Sequence, residues 1–262
     1  MTFSGTGAVN YRIGDQPLIH AIKCEVEAKG ALTLRIQISD SVHIEIAVPD
    51  YSAAKHDYAG LSLRMKTSSG SVDTPGRLFL HQSSIGSITM YSGFFRPANA
   101  DQTAVELAGF SLAVSEGITA DTITMVPGGG VGSITYTFGT NPVQTQDVSV
   151  SSTSFFDNGI IYGVQMTIIW YDPTEANCYF WMQVYPFTGT GTFTAAVVLG
   201  TDVATPGNWS NGATLNAIYS ETANKFLWQG SLVANNLPWQ DGPHQPNVSL
   251  DVSALTLTIQ HP

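Results

Sequence analysis

The chain has 262 residues, room for one large β domain or two of ordinary size. Hydrophobic residues make up 43% and charged residues only 11%, against a norm of about 25%, which excludes a highly charged disordered chain. The net charge of −10 is uneven, with 9 bases and 12 acids up to Met125 but one base, Lys225, and 8 acids from Val126 onward, so nucleic acid and anionic membranes are poor partners.

The N-terminus MTFSGTGAVN has no basic region followed by an apolar core, as a cleaved secretion signal needs. No run approaches the length of a transmembrane helix. The expectation is a soluble chain made in the cytosol, with any export independent of a cleaved leader. The chain then reads as short strands near 7–14, 19–28, 31–39, 42–49, 59–67, 77–82, 86–95 and 104–114. A further strand is expected at 121–126. The punctuation is Lys29-Gly30, Ser39-Asp40, Ser69-Gly70, Pro75-Gly76 and Glu116-Gly117. The segment Asp101–Leu107 reads as a helical turn or as strand. In Lys23–Lys29, Cys24, Val26 and Ala28 alternate with Lys23, Glu25, Glu27 and Lys29, giving one buried and one solvated face.

The second half repeats the first. GTGAVNYRIGDQP (Gly5–Pro17) falls on GVGSITYTFGTNP (Gly130–Pro142), with Gly5, Gly7, Tyr11, Gly14 and Pro17 meeting Gly130, Gly132, Tyr136, Gly139 and Pro142. Val72–Gly76 falls on Val203–Gly207, and Leu32, Leu34, Ile36 and Ile38 fall on Val164, Met166, Ile168 and Trp170. Tyr91 and Gly93 fall on Trp228 and Gly230, and Val105 and Leu107 on Val248 and Leu250. The expected fold is all-β, two tandem, internally duplicated antiparallel β-sandwich or barrel-like domains. The first spans 1–125 and the second 126–262, joined near the glycine-rich VPGGGVG run. That run also reads as a hairpin turn inside one domain.

The most informative stretch is Gly159–Phe187, two apolar runs around a short Pro/Asn-containing connection, the pattern of a β-hairpin. Val164, Met166, Ile168 and Trp170 share one face with Phe180, Met182 and Val184. The other carries Ile169, Tyr171, Tyr179, Trp181 and Tyr185, where a solvated sheet shows charges. The first repeat has Arg35, Gln37, Ser39, His43 and Glu45 there. Large aromatics are not left in water without use, since burying one is worth about 2–3 kcal/mol. The face therefore packs on the other domain, on another chain or on a ligand. Trp209 and Trp239, each among turn residues, extend the third option.

The chemistry-bearing motifs are few. GFSLA (Gly109–Ala113) lacks the second glycine of a nucleophile elbow, and no HExxH, phosphate-binding loop or calcium loop occurs. The histidines, His20, His43, His56, His81, His244 and His261, are scattered without metal spacing, as are Cys24 and Cys178. No cofactor, metal or catalytic residue is expected, and both thiols are expected reduced and buried. The reading is a non-enzymatic binding protein. It recognises a glycan or cell surface through Tyr171, Tyr179, Trp181, Tyr185, Trp209 and Trp239. The alternatives are a self-assembling structural subunit, hence a homo-oligomer, and a membrane-active β-type toxin using the amphipathic run Gln144–Phe156.

Overall fold

A computed structural model describes residues 2–29, 32–53, 55, 57–85, 88–99, 101–115, 123–157, 160–171, 179–184, 192–201, 210–220, 223–237 and 248–261. For 179–184, 192–201 and 210–220, and at some positions elsewhere, Ile169 and Tyr171 among them, the description is of the backbone. The elements are all strands. The first eight are β1 (Thr2–Ile13), β2 (Ile19–Lys29), β3 (Thr33–Ser39), β4 (Val42–Ala47), β5 (Asp57–Thr67), β6 (Gly70–Ile85), β7 (Ile88–Pro97) and β8 (Val105–Ser115). The next eight are β9 (Ile123–Phe138), β10 (Gln144–Asp157), β11 (Ile160–Tyr171), β12 (Tyr179–Val184), β13 (Thr192–Thr201), β14 (Ser210–Ser220), β15 (Lys225–Leu237) and β16 (Val248–Gln260). Each set closes into an antiparallel barrel in which neighbours in sequence are neighbours in space, with β1 pairing β8 and β9 pairing β16. Of the sandwich and the barrel that the strand spacing allows, the closed barrel is formed, and closure removes exposed sheet edges.

Eight strands leave an interior just wide enough for side chains to fill. In the first barrel period-two alternation turns Cys24, Val26 and Ala28 inward, with Leu34, Ile36, Ile44, Ile46, Leu63, Leu78, Leu80, Phe95, Phe110 and Leu112, into one packed cluster. Cys24 is a free, buried thiol, and burial pushes its pKa up to about 12, so it stays protonated and unreactive. Cys178 lies outside the described residues. The outer wall carries the ion pairs Arg64–Asp73, Arg77–Asp57, Arg12–Glu106 and Arg35–Glu27. Apolar inside and charged outside is the inverse of a lipid-embedded barrel. No helix of the described residues is long and apolar enough to cross a membrane.

The repeat is visible in the backbone. Gly14 and Gly139 both take positive φ, 53° and 56°. Gly14 N–H donates to Ala104 O and Gly139 N–H to Ser249 O, each at 2.8 Å. Gly5 and Gly130 sit so close to the neighbouring strand that a Cβ would come within 1.8 Å of Ala113 O and 1.7 Å of Thr258 O. Both barrels also carry a bulge at the same place, between Asn10 and Tyr11 against β8 and between Val252 and Ala254 in β16. Tyr91 opposes Leu112 as Trp228 opposes Leu257, in keeping with the sequence alignment. The last strands align differently. Val105 opposes Ile13 and Leu250 opposes Phe138, so Val105 corresponds to Leu250 and not to Val248.

Two turn signals resolve as strand. Pro75-Gly76 lies inside β6, which begins at Gly70 and not near Arg77. Pro75 sits just past the last β6–β7 pair, Gly76 with Pro97, so its missing N–H costs no bond to β7. The counterpart proposed for it, Thr205-Pro206-Gly207, lies outside the described residues. The VPGGGVG run lies inside β9, paired to β10 throughout and to β16 from Gly129 onward. Gly130 and Gly132 serve close approach of β16, and Gly129 close approach of Ile22 in the first barrel, not chain flexibility. The expected division at 125/126 thus falls within β9, and β8 ends at Ser115.

Candidate functional site

The hairpin that the sequence singles out is β11–β12. Val164, Met166, Ile168 and Trp170 are all buried in the second barrel, with Trp170 edge-on to Tyr136 at a centroid distance of 5.7 Å. The ladder pairs Trp170 with Phe180 and Tyr171 with Tyr179, and Trp181 with Gly200 on β13. Two aromatic residues are thus direct cross-strand neighbours, one position along from an interior pair. The side chains of Tyr171, Tyr179 and Trp181 lie outside the described set, and Tyr185, Trp209 and Trp239 lie outside the described residues altogether.

On the other face of β11, Gln165 and Thr167 are also buried, and the first barrel covers them. Thr167 Oγ1 donates to Phe110 O at 2.8 Å, and Ser111 Oγ donates to Gln165 O at 3.2 Å. Thr153 Oγ1 donates to Ser111 O at 3.0 Å. Alongside runs a small apolar seam of Ile88, Met90, Ala113 and Phe155, with Met125 packed against it. The two barrels therefore dock β7, β8, β1 and β2 against β9, β10 and β11, with Ile22 of β2 against Gly129 of β9. The contact is built of small uncharged side chains and main-chain oxygens. Gln144–Phe156, amphipathic in sequence, is nearly all of β10, paired to β9 along its length and to β11 from Ser149, and covered on its outward face at Ser151, Thr153 and Phe155.

One end of each barrel is filled by polar groups. In the first, Tyr51 from the β4–β5 connection donates its hydroxyl to Gln82 Oε1 and lies against Tyr58 and Tyr91. Tyr58 donates to Ser52 O or Lys55 O, at 2.8 and 2.7 Å. Burial raises the pKa of all three phenols. In the second barrel His261, just past β16, fills the end. Its Nε2 is 3.3 Å from Ser154 Oγ, and its ring meets Phe226 and Phe156 edge-on at 5.3 and 6.3 Å. Burial pushes its pKa down to about 4. A Ser–His contact is also the start of a nucleophile–base pair, but here it lies packed under aromatic rings with both residues buried. It acts as a plug. The signal for it was present in sequence, because Leu255, Leu257, Ile259 and His261 keep a strict period of two.

Of the other described histidines, His20 is exposed and His43 and His81 are half-buried, and His56 and His244 lie outside the described residues. His20 pairs with Asn10 Oδ1 at 2.8 Å on the outer wall. Among the described residues no group of three or more His, Cys, Asp or Glu side chains converges as a metal site would. Two open depressions mark the outer surface. One, of ≈ 590 Å³, is lined by Glu25, Glu27, Arg35 and Gln37 of the first barrel. The other, of ≈ 610 Å³, is lined by Val131, Ser133, Asp147, Ser149, Thr256 and Thr258 of the second. Comparison with known proteins gives no match to a family model, a curated protein or a solved structure.

Proposed function

We propose that this chain is a non-enzymatic recognition protein that holds a glycan or a glycan-bearing cell surface on the outward strip of β11 and β12. Tyr171, Tyr179 and Trp181 form the strip, and Tyr185, Trp209 and Trp239 extend it. The observation that carries this reading is the register. Tyr171 is the cross-strand partner of Tyr179, beside the pair Trp170–Phe180, whose first member is interior. Sheet faces alternate with period two, so the aromatic run stands in the face opposite the core. The first barrel is docked on the neighbouring flank and covers β11 at Gln165 and Thr167. An aromatic cross-strand pair suits the apolar C–H face of a sugar ring, whose hydroxyls remain free to bond to Ser, Thr and Asn.

The test is a glycan array probed with the whole chain and with Trp181→Glu. The expected outcome is a set of glycans bound by the parent and lost by the variant, a drop of about 30-fold or more if Trp181 anchors the ligand. Sizing of both proteins runs in parallel. An oligomer that dissociates in Trp181→Glu, with no glycan bound by either, assigns the strip to self-assembly instead. Dye release from vesicles by the parent assigns it to membrane attack.

A further inference from the structure

The contact between the barrels is heterologous. The first barrel contributes a docking face, Ile88, Met90, Ser111 and Ala113 on β7 and β8. The second contributes a seat, Ser151, Thr153, Phe155, Gln165 and Thr167 on β10 and β11. Because the barrels are repeats, each also owns the element that the other uses. The register gives the correspondence. Val26 opposes Gly5 and Ile36, as Val150 opposes Gly130 and Ile168. The seat of the first barrel is therefore Glu27, Lys29, Thr33 and Arg35, standing where the second has Ser151, Thr153, Gln165 and Thr167. Likewise Ser111 and Ala113 of the docking face correspond to Thr256 and Thr258, which oppose Ser133 and Val131 of β9 as Ser111 and Ala113 oppose Ala8 and Thr6 of β1.

Among the described residues of the unused elements Glu27, Thr33, Arg35 and Thr258 are half-buried and Thr256 is exposed, and the two surface depressions lie on them. One contains Glu27 and Arg35, the other Thr256 and Thr258. A heterologous contact with one open half at each end can repeat from chain to chain, giving rings or filaments. The used and unused seats differ in charge. In the used seat Thr167 Oγ1 reaches the carbonyl of Phe110, and Ser151 and Thr153 are fully buried. In the unused seat Arg35 replaces Thr167, and Glu27 replaces Ser151 with its Oε2 3.9 Å from Arg35 Nη1. The pair is part-exposed, and the face that would cover it offers the Thr256 and Thr258 hydroxyls with Lys225 and Leu227 where Ile88 and Met90 stand, so no carboxylate there meets Arg35. Docking would strip water from charged groups without replacing it.

We propose that Glu27, Lys29 and Arg35 are a terminator. They stop the barrel-to-barrel contact from repeating, so that the docking face of a second copy's C-terminal barrel cannot take the seat of the N-terminal one. Terminal units of repeat arrays need such polar caps to remain discrete. The inference is independent of the ligand strip on β11–β12.

The experiment transplants the used seat onto the unused one in the whole chain, Glu27→Ser with Lys29→Thr and Arg35→Thr, and follows mass by sedimentation velocity against concentration. The parent should stay at single-chain mass. The variant should at least double in weight-average mass as concentration rises. Adding Thr256→Glu, on the opposite half of the contact, should return it to single-chain mass. Near-ultraviolet circular dichroism checks folding, and Glu27→Gln with Arg35→Gln, which removes both charges and keeps polar side chains, stands in should the triple variant misfold. The inference is overturned if the folded variants keep single-chain mass, if their association survives Thr256→Glu, or if the parent already associates through a contact that Thr256→Glu breaks.

Discussion

The same end of the two barrels is closed by different chemistry. The first uses three phenols, Tyr51, Tyr58 and Tyr91, tied to Gln82, Ser52 and Lys55. The second uses one imidazole, His261, with Ser154 and two phenyl rings. One architecture therefore responds to pH in opposite directions at its two ends. A phenol whose pKa is raised in the fold stays neutral there while the unfolded chain ionises, so stability falls as pH rises beyond about 10. A histidine whose pKa is lowered in the fold stays neutral while the unfolded chain takes up a proton. Its contribution is present above pH 6.5, is lost as pH falls below it, and levels off near 4.

The largest effect expected within this comparison is at the equivalent interior positions Tyr91 and Trp228. Trp228 is fully buried, and Trp228→Ala should destabilise the second barrel by about 3–5 kcal/mol in urea unfolding. Tyr91 is slightly exposed at its rim. A larger loss for Tyr91→Ala would mean that the two ends are not equivalent.

Next is the acid response. Between pH 7 and 4, His261 should remove up to roughly 3 kcal/mol of stability. His261→Phe, which keeps an aromatic ring in the plug, should flatten that part of the curve. If the parent and His261→Phe lose stability in parallel, His261 is not buried neutral. At the other end, Tyr51→Phe should reduce the loss above pH 10 and leave the acid limb unchanged.

Smaller still is the turn glycine. Gly14→Ala and Gly139→Ala each force an L-residue into positive φ, at a cost of about 1–2 kcal/mol. Gly14→Ala should cost more than that, because its Cβ would lie 2.5 Å from Gln102 O. Equal effects in thermal unfolding would show that strain, and not the close approach, sets the difference. The smallest effect is at the first barrel's surface. Arg64 and Asp73 form a two-pronged pair at 2.6 and 3.0 Å, but both are half-exposed. Asp73→Asn should leave the melting temperature unchanged at physiological salt.

Much of the fold was legible in the sequence because burial imposes a period on a strand. Cys24–Val26–Ala28 and Val164–Met166–Ile168–Trp170 alternate, and they are interior. The repeated Gly14 and Gly139 were legible because a shared backbone geometry needs the same residue twice. Legibility failed where a local signal and its tertiary use diverge. Pro75-Gly76 and VPGGGVG carry the composition of turns and lie in strands, since a proline beyond a ladder pair and a glycine against a neighbouring carbonyl satisfy needs outside their own segment. The aromatic strip of the candidate site was legible as a face lacking charge. The contact between the barrels was not, because Ser151, Thr153 and Thr167 look the same in sequence whether they meet water or a protein surface.

By itself the sequence determined the all-β class, the duplication and the inward faces of the strands. Those follow from local periodicity, from the backbone demands of particular glycines, and from a hydrophobic effect that scales with buried area and ignores direction. Only the tertiary structure decided that each repeat closes into a barrel, that β7, β8, β1 and β2 of one dock on β9, β10 and β11 of the other, and that His261 closes the second barrel. These depend on hydrogen bonds between residues far apart in the chain, such as Ser111 with Gln165 and Ser154 with His261. Their directionality is set by the position of a partner that no local pattern encodes.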